Sequence, residues 1–350
     1  MLNERVDNMR ISKKIRVLVV DDSLVFREAV SRGISTDAAI EVVAKAVDPF
    51  DARDKVIKFE PDVMICDVEM PKMNGIEFIK QLLPQYTLPI IVVSAMNKSV
   101  FDAINAGAVD FAAKPDGTSV RDQEKFISDL IKKVKIANRA KISRPIMINT
   151  RKIVVNTEDF SEKIIAIGAS TGGIEAISSL LKAFPSNMPG ILITQHIPPE
   201  FSRMFAERLD NQLHLEVKEA RNGDIVEKGK VLIAPGDQHM RLKRVGNIYK
   251  VEVFKGEKVS GHCPSVDVLF QSVANEAGSN AIGIILTGMG YDGASGLLAM
   301  RCKEARTIGQ NERSCIVYGM PKVAFNIGAV EKQLNLTDIP RGVLSILENK

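Results

Sequence analysis

Short apolar runs alternate along the chain with longer segments whose apolar residues fall three or four positions apart, which predicts strand and helix in turn. In the first part, residues 15–20, 40–46, 63–66, 90–93 and 110–113 read as buried strands. Helical patterns follow each of them, at about 24–34, 50–59, 75–83, 100–106 and 120–137; Leu24, Val25, Ala29, Val30 and Ile34 form the apolar side of the first. Five strand-helix units predict one doubly wound parallel domain. Later, residues 164–169, 190–194 and 281–286 are apolar runs of the same kind, with helical patterns at 174–181, 264–277 and 293–304. Residues 229–234 and 249–254, set between polar turns, predict an antiparallel extension of this second α/β domain.

Polar chemistry collects where the strands stop. In the second domain, the run at 164–169 ends in Gly-Ala-Ser-Thr-Gly-Gly, and the glycines expose Ser170 at a strand-to-helix turn. Two readings of this turn are open. A phosphate cradle is one, although Ile174 and Glu175 stand where a P-loop needs Lys and Ser/Thr. The other is a G-x-S-x-G nucleophile turn, which requires a base from elsewhere. His196 follows the run at 190–194, ahead of Pro198 and Pro199, and Asp292 lies in the Thr-Gly-Met-Gly-Tyr-Asp-Gly loop after the run at 281–286. If these strands are parallel neighbours, Ser170, His196 and Asp292 converge as nucleophile, base and orienting carboxylate.

The first domain repeats the arrangement with other groups: Asp21 and Asp22 after its first strand, Asp67 after the third, Ser94 after the fourth, Lys114 after the fifth. Crowded carboxylates repel, and a hard divalent cation relieves the repulsion through oxygen ligands. Asp67 is then placed to attack a phosphoryl donor.

Composition narrows the class. At 350 residues, with 45% apolar and 26% charged residues, the chain suits two ordinary globular domains. No stretch reaches membrane-spanning length, and Glu4, Arg5, Asp7 and Arg10 interrupt any signal-peptide core, so a cytoplasmic location and no membrane insertion are expected. Cys66, Cys263, Cys302 and Cys315 lack metal or redox spacing and are expected as reduced thiols. The net charge of +4 is local: Lys132 to Lys152 contains no acid. That run reads as a solvated linker, or as a docking element for an acidic partner or membrane surface. A DNA-binding output would need a helix-turn-helix, and none is evident after Phe160, so no nucleic acid partner is expected. His214, His239 and His262 are expected to be structural or to lie at the rim of the site.

Gly-Ala-Ser-Thr-Gly-Gly, Thr-Gln-His and Leu-Thr-Gly-Met-Gly-Tyr-Asp-Gly resemble the catalytic motifs of the chemotaxis response-regulator protein-glutamate methylesterases, the CheB family. Asp21-Asp22, Asp67-Val-Glu-Met-Pro, Ser94-Ala and Lys114-Pro115 are similar to the response-regulator receiver domain. Together the resemblances cover nearly the whole chain. They imply a receiver domain at 15–137, a basic linker at 138–160 and a methylesterase domain at 161–350. They imply hydrolysis of glutamate methyl esters on the cytoplasmic domains of chemoreceptors, with glutamine deamidation in some members, switched on by phosphorylation. Asp67 is the implied phosphoacceptor, with a histidine kinase as donor; Ser94 and Lys114 are the phosphoryl-sensing pair. Mg2+ is implied at Asp21, Asp22, Asp67 and Glu69, and no cofactor in the esterase site. The Thr171 amide, next after the nucleophile, is the natural oxyanion donor, and Met289 is implied as a second. Tyr291 is bulkier than the small polar residue expected beside Asp292.

Overall fold

The computed structural model describes residues 13–71, 73–95, 99–115, 119–141 and 163–348. Two compact units divide the chain, one ending at Arg139 and the other beginning at Ala140. Most of the expected basic linker, including Arg144, Arg151 and Lys152, falls outside the described residues. No helix among the described residues is long and apolar enough to cross a membrane.

The first unit is a five-stranded sheet of β1 (Ile15–Val20), β2 (Ile40–Ala46), β3 (Val63–Asp67), β4 (Ile90–Ser94) and β5 (Asp110–Ala113), in the order β2-β1-β3-β4-β5. Every pairing is parallel. β3 and β4 are buried at every position, which is why their sequences run apolar without alternation. The helices are α1 (Leu24–Ile34), α2 (Pro49–Phe59), α3 (Gly75–Leu82), α4 (Ser99–Asn105) and α5 (Val120–Ala137). Ser23, Asp48, Asn74 and Ser119 cap the first, second, third and fifth through their side chains, each satisfying an amide that the helix leaves open. Val17, Val19, Ile65 and Ile91 pack with Val30 and Ile34 of α1 and Leu130 and Val134 of α5 in one core.

The second unit holds a seven-stranded parallel sheet. Its strands are β6 (Ile164–Ala169), β7 (Gly190–Gln195), β8 (Glu216–Glu219), β9 (Lys230–Ile233), β12 (Ala281–Ile285), β13 (Arg306–Gln310) and β14 (Lys332–Leu334), ordered β14-β13-β12-β6-β7-β9-β8. A separate antiparallel pair, β10 (His239–Val245) with β11 (Ile248–Phe254), packs through Met240, Leu242 and Val251 against α8 (Val266–Glu276). The run at 229–234 therefore does not belong to the antiparallel extension. It forms β9 inside the main sheet, where Val231, Leu232 and Ile233 are fully buried, as a strand covered on both faces requires. The other helices are α6 (Gly173–Lys182), α7 (Phe201–Gln212), α9 (Ala294–Cys302), α10 (Met320–Asn326) and α11 (Ile339–Glu348).

Candidate active site and acidic cluster

From β6 the chain builds the sheet outward to β7 and β9 on one side, and it returns to add β12, β13 and β14 on the other. The carboxyl end of β6 is therefore the point of divergence, where open α/β sheets take their ligands. Register decides what meets there. Ala169 lies opposite Gln195 and Gly168 opposite Ile285, so Ser170, His196 and the loop after β12 leave the sheet side by side. The His196 amide donates to Ala169 O at 3.1 Å, and the Ser170 amide to Thr287 O at 3.0 Å. Gly172, at φ 78, turns the chain into α6. Gly168 has a different reason: a Cβ there would stand 2.1 Å from Val266 Cγ1, and its absence lets the start of α8 close on the strand.

Asp292, 1% exposed, lies at that helix start. Its Oδ1 accepts the Ser265 hydroxyl at 2.8 Å and the Asp267 amide at 3.0 Å; its Oδ2 accepts the Val266 amide and His196 Nε2, each at 2.7 Å. A carboxylate in this place takes up the open amides and the positive end of the helix dipole. Burial alone would raise its pKa, but the His196 contact, the Asp267 amide and the Ser265 hydroxyl outweigh burial and hold it below the ordinary carboxylate range. Its neighbour Asp267 goes the other way, raised by burial and then by the Asp292 charge.

An ionised carboxylate only accepts, so Nε2 of His196 carries the proton and Nδ1 is the acceptor. That Nδ1 is buried and has no hydrogen-bond partner among the described residues. Ser170 is half-buried beside it, and no hydrogen bond joins the two side chains. Such a bond is often open before substrate arrives.

Four residues that the strand-end pattern did not single out complete the setting. Gln195, the last residue of β7, donates through Nε2 to Ser170 O at 2.9 Å and to His196 O at 3.1 Å, tying the two turns together. Thr287 donates through Oγ1 to Thr171 O at 3.0 Å, while Gln310 Oε1 accepts the Thr287 amide at 2.8 Å. His262 stacks on the His196 ring. A polar residue at the end of an otherwise apolar strand was the available signal for Gln195; His262 had none. Met289, an expected oxyanion donor, has an amide without a hydrogen bond among the described residues. It follows Gly288, where a Cβ would fall 2.6 Å from Ser170 Cβ. Thr171 is buried, and Tyr291 is 60% exposed.

His239 is not a rim residue. It is buried, its Nδ1 accepting the Ser265 amide at 3.2 Å and its Nε2 bonded to Glu257 O at 2.9 Å. His214 is exposed on a bend after α7, not on a strand. Burial raises the Cys263 thiol pKa, against any activated thiolate.

In the first unit, Val20 pairs with Cys66, which sets Asp21 beside Asp67 where strand order diverges between β1 and β3. Oxygens of Asp21, Asp22 and Asp67 lie within 4.8 Å of one another. Lys114 Nζ donates to Asp67 Oδ2 at 2.8 Å and to Asp21 Oδ2 at 3.0 Å. Ser94 is fully buried, and its carbonyl accepts the Lys114 amide at 2.8 Å. Glu69 does not join the carboxylate group: two residues past the end of β3, it is engaged there by its backbone, the amide donating to Asp67 Oδ1 at 3.3 Å. Burial, the largest influence, raises the Asp21 pKa despite Lys114. Burial would lower that of Lys114, but the bonds to Asp67 and Asp21 raise it instead. One ammonium thus faces three carboxylates, two of them buried. This hard-oxygen set, short of positive charge, fits a divalent cation of the magnesium type.

Both parts of the chain match known proteins. Residues 165–343 match the CheB methylesterase family, and residues 17–121 the response regulator receiver domain. A protein-glutamate methylesterase/protein-glutamine glutaminase 2 of Syntrophomonas wolfei is 56% identical over 335 residues, covering 96% of this chain and 98% of that one. A protein-glutamate methylesterase/protein-glutamine glutaminase of Syntrophotalea carbinolica is 46% identical over 350 residues, covering 97% and 99%. Among solved structures, the CheB methylesterase catalytic domain of Thermotoga maritima matches with a TM-score of 0.52 at 36% identity, over 53% of this chain and 99% of that chain.

Proposed function

The chain belongs to the CheB methylesterase family, with a receiver domain ahead of the esterase domain, and on that premise we propose that it hydrolyses glutamate γ-methyl esters on the cytoplasmic domains of chemoreceptors, under control of phosphorylation at Asp67. The observation that carries the esterase half is the His196–Asp292 contact of 2.7 Å beside Ser170, at the divergence point of the sheet.

Ser170 Oγ attacks the ester carbonyl as its proton passes to His196 Nδ1. Asp292, anchored by three hydrogen bonds from the start of α8, keeps the imidazolium oriented and balances its charge. The tetrahedral oxyanion takes the amides of Thr171 and Met289. His196 returns the proton to the departing methoxide, methanol leaves, and water repeats the sequence on the acyl-enzyme. Glutamine deamidation needs only a different leaving group, ammonia, and both activities appear in the names of the relatives.

In the receiver, Asp67 is the phosphoacceptor, a histidine kinase the donor, and Ser94 with Lys114 the pair that responds to the new phosphoryl group. Asp21, Asp22 and Asp67 would hold Mg2+. When bound, the ion neutralises charge on the transferring group. The deciding assay is methanol release from methylated receptor membranes with and without a small phosphodonor. No release in either condition refutes the esterase reading; equal release in both refutes control through Asp67.

A further inference from the structure

The ring of His262 lies flat on that of His196, with centroids 3.7 Å apart and planes within 7°. Local chain geometry holds it there. Val259 and His262 exchange backbone hydrogen bonds of 3.0 and 2.9 Å across a two-residue turn. Both turn residues, Ser260 (φ 53) and Gly261 (φ 84), take the left-handed backbone of a tight hairpin. The Ser260 hydroxyl donates to Asp267 Oδ2 at 2.9 Å, and the Asp267 amide donates to Asp292. The turn that carries His262 and the carboxylate that orients His196 are thus fastened to the same helix start.

We propose that His262 is a positioning residue for the general base: it covers one face of the His196 ring and fixes the ring plane. This rests on the reading of His196 as the base. In-plane bonds set where a ring nitrogen points, but they leave the ring free to tilt; a flat partner on the face removes that freedom. A neutral aromatic face also attracts a cation, whereas a second imidazolium at the same spacing repels it. Among the described residues, the ionisable groups around the pair and its turn include Asp292 on His196 Nε2, Asp267 on Ser260, the Cys263 thiol next to His262 with Asp237 acting on it, and Glu257 and Lys258 ahead of the turn.

Two variants of the full chain test this. His262→Ala opens the face and is expected to lower kcat about tenfold or more with KM within about twofold, since a small misplacement near the chemistry costs up to about a hundredfold. His262→Phe restores a flat face that does not titrate, and kcat returns to within about threefold of wild type. Ring-proton NMR supplies a measurement independent of substrate: the stacked ring shifts the His196 ring protons upfield, and that shift is lost in His262→Ala and kept in His262→Phe. The inference is overturned if His262→Ala keeps the wild-type kcat, if His262→Phe is as slow as His262→Ala, or if the His196 ring-proton shifts are unchanged in His262→Ala. Should the wild type release no methanol from any methylated receptor, the proposed substrate is what fails, and the ring-proton shifts with fluorophosphonate labelling of Ser170 still decide the role of His262.

Discussion

Asp292 Oδ2 and His196 Nε2 meet at 2.7 Å, and the same oxygen accepts the Val266 amide at the same distance, so one carboxylate both orients an imidazole and closes the start of α8. Asp292→Asn should fail in both duties, because an amide nitrogen cannot accept. Turnover should fall by about a thousand- to ten-thousandfold, the scale known for this exchange in a serine protease. Stability should fall by about 1–3 kcal/mol, the cost of unpaired buried donors. The pH dependence has a definite sign. Asp292 is held below its ordinary pKa, so its contribution is present above about pH 4 and is lost as pH falls through the lower folded-state value. Chemical denaturation between about pH 2 and 7 should show wild type and variant converging at the acid end.

Ser170→Ala removes the proposed nucleophile and, among the described residues, no side-chain hydrogen bond. Methanol release should be abolished while unfolding stability stays within about 0.5 kcal/mol. A residual rate above about a tenth of wild type would remove Ser170 from the mechanism proposed here.

Asp67→Asn leaves the Lys114 neighbourhood in place and removes the proposed attacking carboxylate. A small radiolabelled phosphodonor with magnesium should label the wild type and not the variant, and esterase activity without donor should be the same in both. Equal labelling would place the acceptor elsewhere.

Asp21 gives a test of the cation. Its raised pKa means that its contribution to stability is present below about pH 4 and is lost as pH rises through the folded-state value, so at neutral pH the ionised group is a strain on the receiver. Magnesium should relieve that strain. At pH 7 a hundredfold excess over its dissociation constant should raise the thermal midpoint of the receiver by about 4 °C or more. The gain should shrink as the solution is acidified and should be small in Asp21→Asn. A gain of full size in that variant would move the ion off this cluster.

Every side chain assigned to ester chemistry comes from the unit beginning at Ala140, and the proposed phosphoacceptor from the unit ending at Arg139. A fragment beginning near Lys163 should therefore hydrolyse receptor esters faster than the unphosphorylated full chain and should not respond to phosphodonor. A folded fragment slower than the unphosphorylated whole would mean that the receiver assists the site instead of restraining it.

The chain by itself determined which residues stand at strand ends. Buried parallel strands need unbroken apolar runs, and such runs end where the backbone reaches the solvent edge, so Asp21, Asp67, Lys114, Ser170 and His196 could be placed from local pattern alone. The two domains followed from the same pattern, and the motifs at those ends carried the family. Only the tertiary structure decided which ends are neighbours, because strand pairing joins residues far apart in sequence and leaves no period to read. That is why 229–234 proved to be a parallel strand in the main sheet. It is also why the anchoring of Asp292 by Ser265 and the α8 amides, the double hold of Gln195 and the stacking of His262 on His196 had no local signature. Each is a contact made across the sheet edge, and the chain acquires it only once β6, β7 and β12 lie side by side.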